Sequence, residues 1–176
     1  FDKGLEAIDW YEQRSPMADK HVKEYIANIR AMFYCLKGNK SKLVEYGKVS
    51  GHPFYEKIVE QIEKQEIDFD AGTRNILPVP FVRQDNLTCA PATLTALCKF
   101  WNRAAEHLEV AEEICYDGTP AFKERFWAIE NGWHVREFNA DPEVTRQLID
   151  AGIPYALGTV EPTSAHLQAV IGYDTR

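Results

Sequence analysis

The chain is poor in cysteine, in positive charge and in long apolar runs, and each shortage closes off a class of function. Only Cys35, Cys89, Cys98 and Cys115 are present among 176 residues, with no Cys-x-x-Cys pair and no His at zinc-finger spacing. That excludes a disulfide framework and a zinc finger. For Cys35, Cys98 and Cys115 the expectation is buried thiols in a reducing, cytoplasmic compartment. Twenty Lys and Arg against 27 Asp and Glu leave a net charge of −7. The basic residues are scattered among acids, so neither nucleic acid nor an anionic membrane is an expected partner. No apolar run approaches the roughly 18 to 20 residues of a membrane span. No signal peptide is visible, although the chain opens on Phe1 and not Met. There is no His-Glu-x-x-His and no Gly-rich phosphate loop, so no metal and no cofactor is expected.

What is present divides in two. Residues 1–75 carry helical periodicity, with Ile26, Ile29, Phe33 and Leu36 recurring at steps of three and four before Gly38. Asn39 and Ser41 offer caps for a following helix, and Gly51-His52-Pro53 makes a break before Ile58, Val59, Ile62 and Ile67. A helical hairpin or bundle is expected. Its short helices are similar to helical-repeat (tetratricopeptide-like) scaffolds, although no clean internal period is found. Gly72, Pro78 and Pro80 disfavour helix over 71–82, where an extended segment and the domain boundary are expected.

From 76 to 176 the pattern is mixed. Leu94, Leu97, Cys98 and Trp101 form a helical stripe, and Leu108, Ala111 and Cys115 suggest a second helix. Thr119 and Pro120 open a third, with Phe122, Phe126 and Ile129 inward and Gly132 past its end. Trp133 and Val135 alternate with His134 and Arg136, predicting a strand. Asp141-Pro142 opens a fourth helix closing at Gly152, residues 153–160 predict a buried strand, and 165–174 a last one. Helices first and strands afterwards imply α+β.

Cys89 stands where a loop turns into a helix, in Gln84-Asp-Asn-Leu-Thr-Cys-Ala-Pro-Ala-Thr-Leu94. A thiol at a helix N-terminus faces unpaired backbone N–H groups and the positive end of the dipole, which favour thiolate, the nucleophilic species. Gln84 is placed to aim an amide N–H at a tetrahedral oxyanion beside the Cys89 backbone N–H. A base must come from elsewhere. On the last strand, Leu167, Ala169 and Ile171 share one face and His166 and Gln168 the other, so His166 borders a cleft as a candidate general base. His21, His52, His107 and His134 read as surface residues.

These residues resemble the papain-like leader-peptide peptidase family, some members of which form the N-terminal domain of bacteriocin-exporting transporters. The likeness lies in Gln84, in Cys89 with Pro91-Ala92-Thr93-Leu94, in Gly132-Trp133, in Leu148-Ile149-Asp150 with Gly152-Ile153-Pro154, and in residues 166–174. It covers about residues 78–176. It implies Cys89 as nucleophile, His166 as general base, Gln84 as oxyanion donor and a peptide substrate with a small-residue pair, such as double glycine, at the cut. It also implies a papain-like antiparallel sheet packed on helices, incomplete at the C-terminus, with an Asp that orients the His about fifteen positions beyond it, past Arg176. Ala90 stands where members usually have Gly, and the Gln-to-Cys gap is one residue shorter. Two alternatives stay open: an inactive peptide-binding module of the same fold, and an interaction scaffold whose N-terminal helices bind a protein partner.

Overall fold

The computed structural model describes residues 2–161 and 164–176. They sort into two compact units. One runs up to Thr73 and takes in Thr175–Arg176; the other is Arg74–Asp174. No helix among the described residues is long and apolar enough to cross a membrane.

In the first unit, α1 (Asp2–Arg14), α2 (Lys20–Lys37), α3 (Lys40–Gly47) and α4 (Pro53–Glu63) are bounded by local chemistry. Asp19 caps α2 by accepting from Val22 N–H. Gly38, at φ 71°, ends it by donating to the Cys35 carbonyl, while Asn39 N–H bonds that of Tyr34. The Asn39 side chain then caps α3, and His52 caps α4 through its ring nitrogen. Ala31, Leu43, Ile62 and Phe69 form the core. The buried stripe of α2 is Ile26, Ala27, Arg30 and Ala31; it shares Ile26 with the Ile26–Ile29–Phe33–Leu36 stripe that hydropathy alone selects and is rotated from the rest of it. Arg30 explains the rotation. Its guanidinium bonds Asp9 (2.6 Å) and Glu12 of α1 and lies 5.3 Å from the Tyr46 ring centre, so a cation occupies the interior face.

The Arg74–Asp174 unit holds four more helices: α5 (Cys89–Phe100), α6 (His107–Ile114), α7 (Ala121–Glu130) and α8 (Pro142–Asp150). It also holds β1 (Arg74–Ile76), β2 (Tyr155–Glu161), β3 (Ser164–Val170) and β4 (Gly172–Asp174). The architecture is mixed helix and antiparallel sheet, as α+β requires. β1 pairs with β4, Arg74 opposite Asp174, and β2 pairs with β3, Tyr155 opposite Val170. The predicted single strand over 165–174 is therefore two. It breaks at Ile171, whose carbonyl accepts from Leu77 N–H, and the two halves serve different sheets.

Cys98, Val110, Ile114 and Trp127 form this unit's core, with α5 packed on α6, β2 and β3. Several expectations are corrected here. α5 buries its small residues, Ala90 to Thr93, Thr95, Ala96 and Cys98, while Trp101 is exposed. A helix lined by small side chains is covered nearly all round, so its largest residues do not mark the inner face. On α7 the inward residue is Trp127, its indole donating to Glu113 at 2.7 Å, and Phe122, Phe126 and Ile129 face outward. Thr119 does not cap α7; its hydroxyl is buried without a partner among the described residues, and Pro120 takes the cap position. Residues 133–136 join no sheet. β2 is mostly exposed, because a two-stranded ribbon is covered on one side only.

Candidate active site

The approach to α5 is a turn pinned to itself. Thr88 N–H donates to the Asp85 carbonyl at 3.4 Å. In return Asp85 N–H donates to Thr88 Oγ1 at 2.9 Å, and that hydroxyl lies 3.1 Å from the Asp85 carbonyl oxygen. Leu87, the turn's third residue, has φ 60°. Turns of this kind require the left-handed region there, which costs a branched side chain roughly 1–2 kcal/mol. Thr88 is buried, and the strain sits directly before the helix start.

Cys89 is the first residue of α5 and half-buried. The first N–H groups of a helix have no intrahelical acceptor, and Pro91 contributes none, so its ring fills the first turn without loss of a bond. Gln84, just before the turn, is exposed.

His166 is the third residue of β3, opposite Thr159, and its ring is exposed. Its carbonyl accepts from Thr159 Oγ1 at 3.3 Å. Leu167 and Ala169 are half-buried while Gln168 is exposed. What joins helix to strand is Thr93. Its hydroxyl, buried, donates to the Leu167 carbonyl at 3.1 Å. Thr93 lies one helical turn past Cys89, and Leu167 is the neighbour of His166. Cys89 stands one helical turn from that bond, and His166 is next to it in sequence, with its side chain on the opposite face of the strand from Leu167. No hydrogen bond among the described residues joins the Cys89 thiol, the His166 ring or the Gln84 amide to one another.

A family model described as the Peptidase_C39 like family matches residues 76–176. The chain belongs to that family. No curated protein and no solved structure matches it.

The matched region makes residues 76–176 a C39-type cysteine-peptidase domain. Within it the other thiols are held differently from Cys89. Cys98 is buried, and burial pushes its thiol up, Arg103 and Trp133 offsetting only part of that. Cys115 donates to the Leu87 carbonyl at 3.3 Å. Asp174, expected on the same strand as His166, belongs instead to β4 and pairs with Arg74 at 3.7 Å. A cavity of about 300 Å³ is lined by Glu113, Ile114, Lys123, Phe126, Trp127 and Glu130, none of them a candidate site residue.

Sequence reasoning missed two supports of this site. Thr93 could have been found, since it is a polar residue that follows Cys89 by one helical turn among small apolar ones. His107, expected at the surface, is half-buried with Nε2 3.0 Å from Thr88 Oγ1. Nothing in its polar neighbourhood signals that.

Proposed function

We propose that the C39-like domain hydrolyses peptide bonds through a thioester on Cys89. His166 takes the thiol proton and returns it to the leaving amine. The Gln84 amide and the Cys89 backbone N–H receive the oxyanion of the tetrahedral intermediate. Substrates are of the leader-peptide type, with a pair of small residues at the cut. The observation that carries this is the Thr93–Leu167 bond, which ties the Cys89 helix, one turn past its start, to the strand residue next to His166. Family membership adds the chemistry: cysteine peptidases act on peptides.

Alkylation by iodoacetamide at neutral pH, read thiol by thiol in peptide digests, tests it. Cys89 is expected to react first, Cys98 last because burial disfavours its thiolate, and His166→Ala is expected to remove the advantage of Cys89. Equal reactivity of Cys89 and Cys115, or a His166→Ala variant alkylated like the wild type, counts against the reading.

A second reading is a peptide-binding module without turnover. The exposure of His166 favours it, since among the described residues no hydrogen bond orients the imidazole. Binding of a double-glycine peptide with no cleavage on long incubation separates the two.

A further inference from the structure

Both ends of α6 grip the turn that leads into Cys89. His107, the first residue of the helix, places Nε2 3.0 Å from Thr88 Oγ1. Cys115, just past its end, donates from Sγ to the Leu87 carbonyl at 3.3 Å. These are consecutive residues of the turn, and they are the two on which its shape depends. Leu87 is held at φ 60°, a conformation it would leave if the turn were released. Thr88 closes the turn by bonding both backbone groups of Asp85.

A hydroxyl has one proton and two lone pairs. With its proton directed to the Asp85 carbonyl and one lone pair taken by Asp85 N–H, Thr88 Oγ1 has one lone pair left, and His107 fills it with an Nε2–H. Gln84 precedes the turn and Cys89 follows it. Both oxyanion donors therefore hang from this one piece of backbone.

We propose that His107 is a positioning residue of the peptidase site: by holding the Thr88 hydroxyl it fixes the turn and, through it, the placement of the Gln84 amide relative to the Cys89 backbone N–H. This rests on the role given above to Cys89 and Gln84, and it touches neither substrate nor the reacting atoms. Misplacing a catalytic group by about 1 Å costs on the order of a hundredfold in rate.

Two reagents, applied to the full chain, separate positioning from general disturbance. With p-nitrophenyl acetate, the Cys89 sulfur attacks the carbonyl carbon, a C–S bond forms, the ester C–O bond breaks, and p-nitrophenolate leaves with the electron pair. That reaction passes through an oxyanion. Iodoacetamide alkylates the same sulfur by displacing iodide at a saturated carbon, with no oxyanion formed. His107→Ala and Thr88→Val are each expected to slow acylation by about tenfold to a hundredfold while alkylation stays near the wild-type rate. His107→Gln, whose amide N–H reaches the same position, is expected to restore acylation. His107→Asn, polar but one bond too short, is expected to repeat the alanine result with less risk to folding. The double variant should be no slower than either single one.

Unchanged acylation in His107→Ala and His107→Asn overturns the proposal, as does an equal slowing with both reagents or a failure of His107→Gln to rescue. If the wild type releases p-nitrophenolate no faster than Cys89→Ser, the peptidase reading itself fails and the positioning role with it. A wild-type burst that the His107 variants leave intact refutes only the latter.

Discussion

Thr93 and Thr95 lie two residues apart on α5, both buried, at 7% and 0% exposure. Valine has the same shape as threonine with a methyl in place of the hydroxyl, so one substitution can be made twice on one helix with different consequences. At 93 the hydroxyl donates to the Leu167 carbonyl at 3.1 Å. Thr93→Val forfeits that bond and strands the carbonyl, a loss of about 1–3 kcal/mol. At 95 the hydroxyl has no partner among the described residues. Thr95→Val removes an unpaired buried polar group and is expected to stabilise by about 1–3 kcal/mol. The two variants should differ by at least ~2 kcal/mol, and with about 4–8 °C per kcal/mol for a domain near 100 residues, their melting temperatures should separate by roughly 8 °C or more, on opposite sides of the wild type. Tryptophan fluorescence reports it, because Trp101, Trp127 and Trp133 belong to this unit and Trp10 to the other. Thr93→Val should also slow acylation of Cys89, whereas Thr95→Val should not. Two shifts of the same sign would refute the assignment of a bonded and an orphaned hydroxyl.

Arg30→Met should leave the α2–α4 core folded but loosen α1, which buries no residue of its own and is tied to α2 by the Arg30 bonds to Asp9 and Glu12 and by an exposed Lys37–Asp2 ion pair. Burial opposes the Arg30 charge, yet those two carboxylates outweigh it and hold the guanidinium above its ordinary value. Faster amide exchange across residues 2–14 would show the release, and unchanged protection would contradict it. Asp150 accepts at 2.8 Å from both Asn75 and Tyr173, and those bonds depress its carboxyl below the ordinary 3.8. A depressed carboxylate adds stability that is present above 3.8 and is lost as pH falls through the folded-state value. Asp150→Asn should therefore be less stable than wild type at neutral pH and converge on it in acid. A constant difference across that range, followed by urea unfolding, would show the bonds to be inconsequential.

Much of this fold is legible where the deciding chemistry is local. Gly38, Asn39, Asp141 and Gly152 bound helices through contacts within a few residues, and each element falls beside them. Cys89 at a helix start is legible for the same reason, since Pro91 and the preceding polar turn mark the boundary. What escaped depends on partners far along the chain. Residues 133–136 alternate like a strand, but pairing needs a neighbour that the sequence does not name. Phe122, Phe126 and Ile129 look like an inner face by size, while the position that meets Glu113 and the Cys98 core is Trp127. Arg30 turns the α2 stripe because two acids on α1 await it, 18 and 21 residues away. The His107–Thr88 bond spans 19 residues between two unremarkable polar segments.

The pairing of β1 with β4 brings the two cut ends of the Arg74–Asp174 unit side by side, Arg74 opposite Asp174. The two ends of such a unit are adjacent threads, held together by the strand pair itself. The unit can be transplanted as a cassette into a surface loop of an unrelated carrier, or opened elsewhere after splicing those threads together, without pulling the hairpin from the cysteine helix.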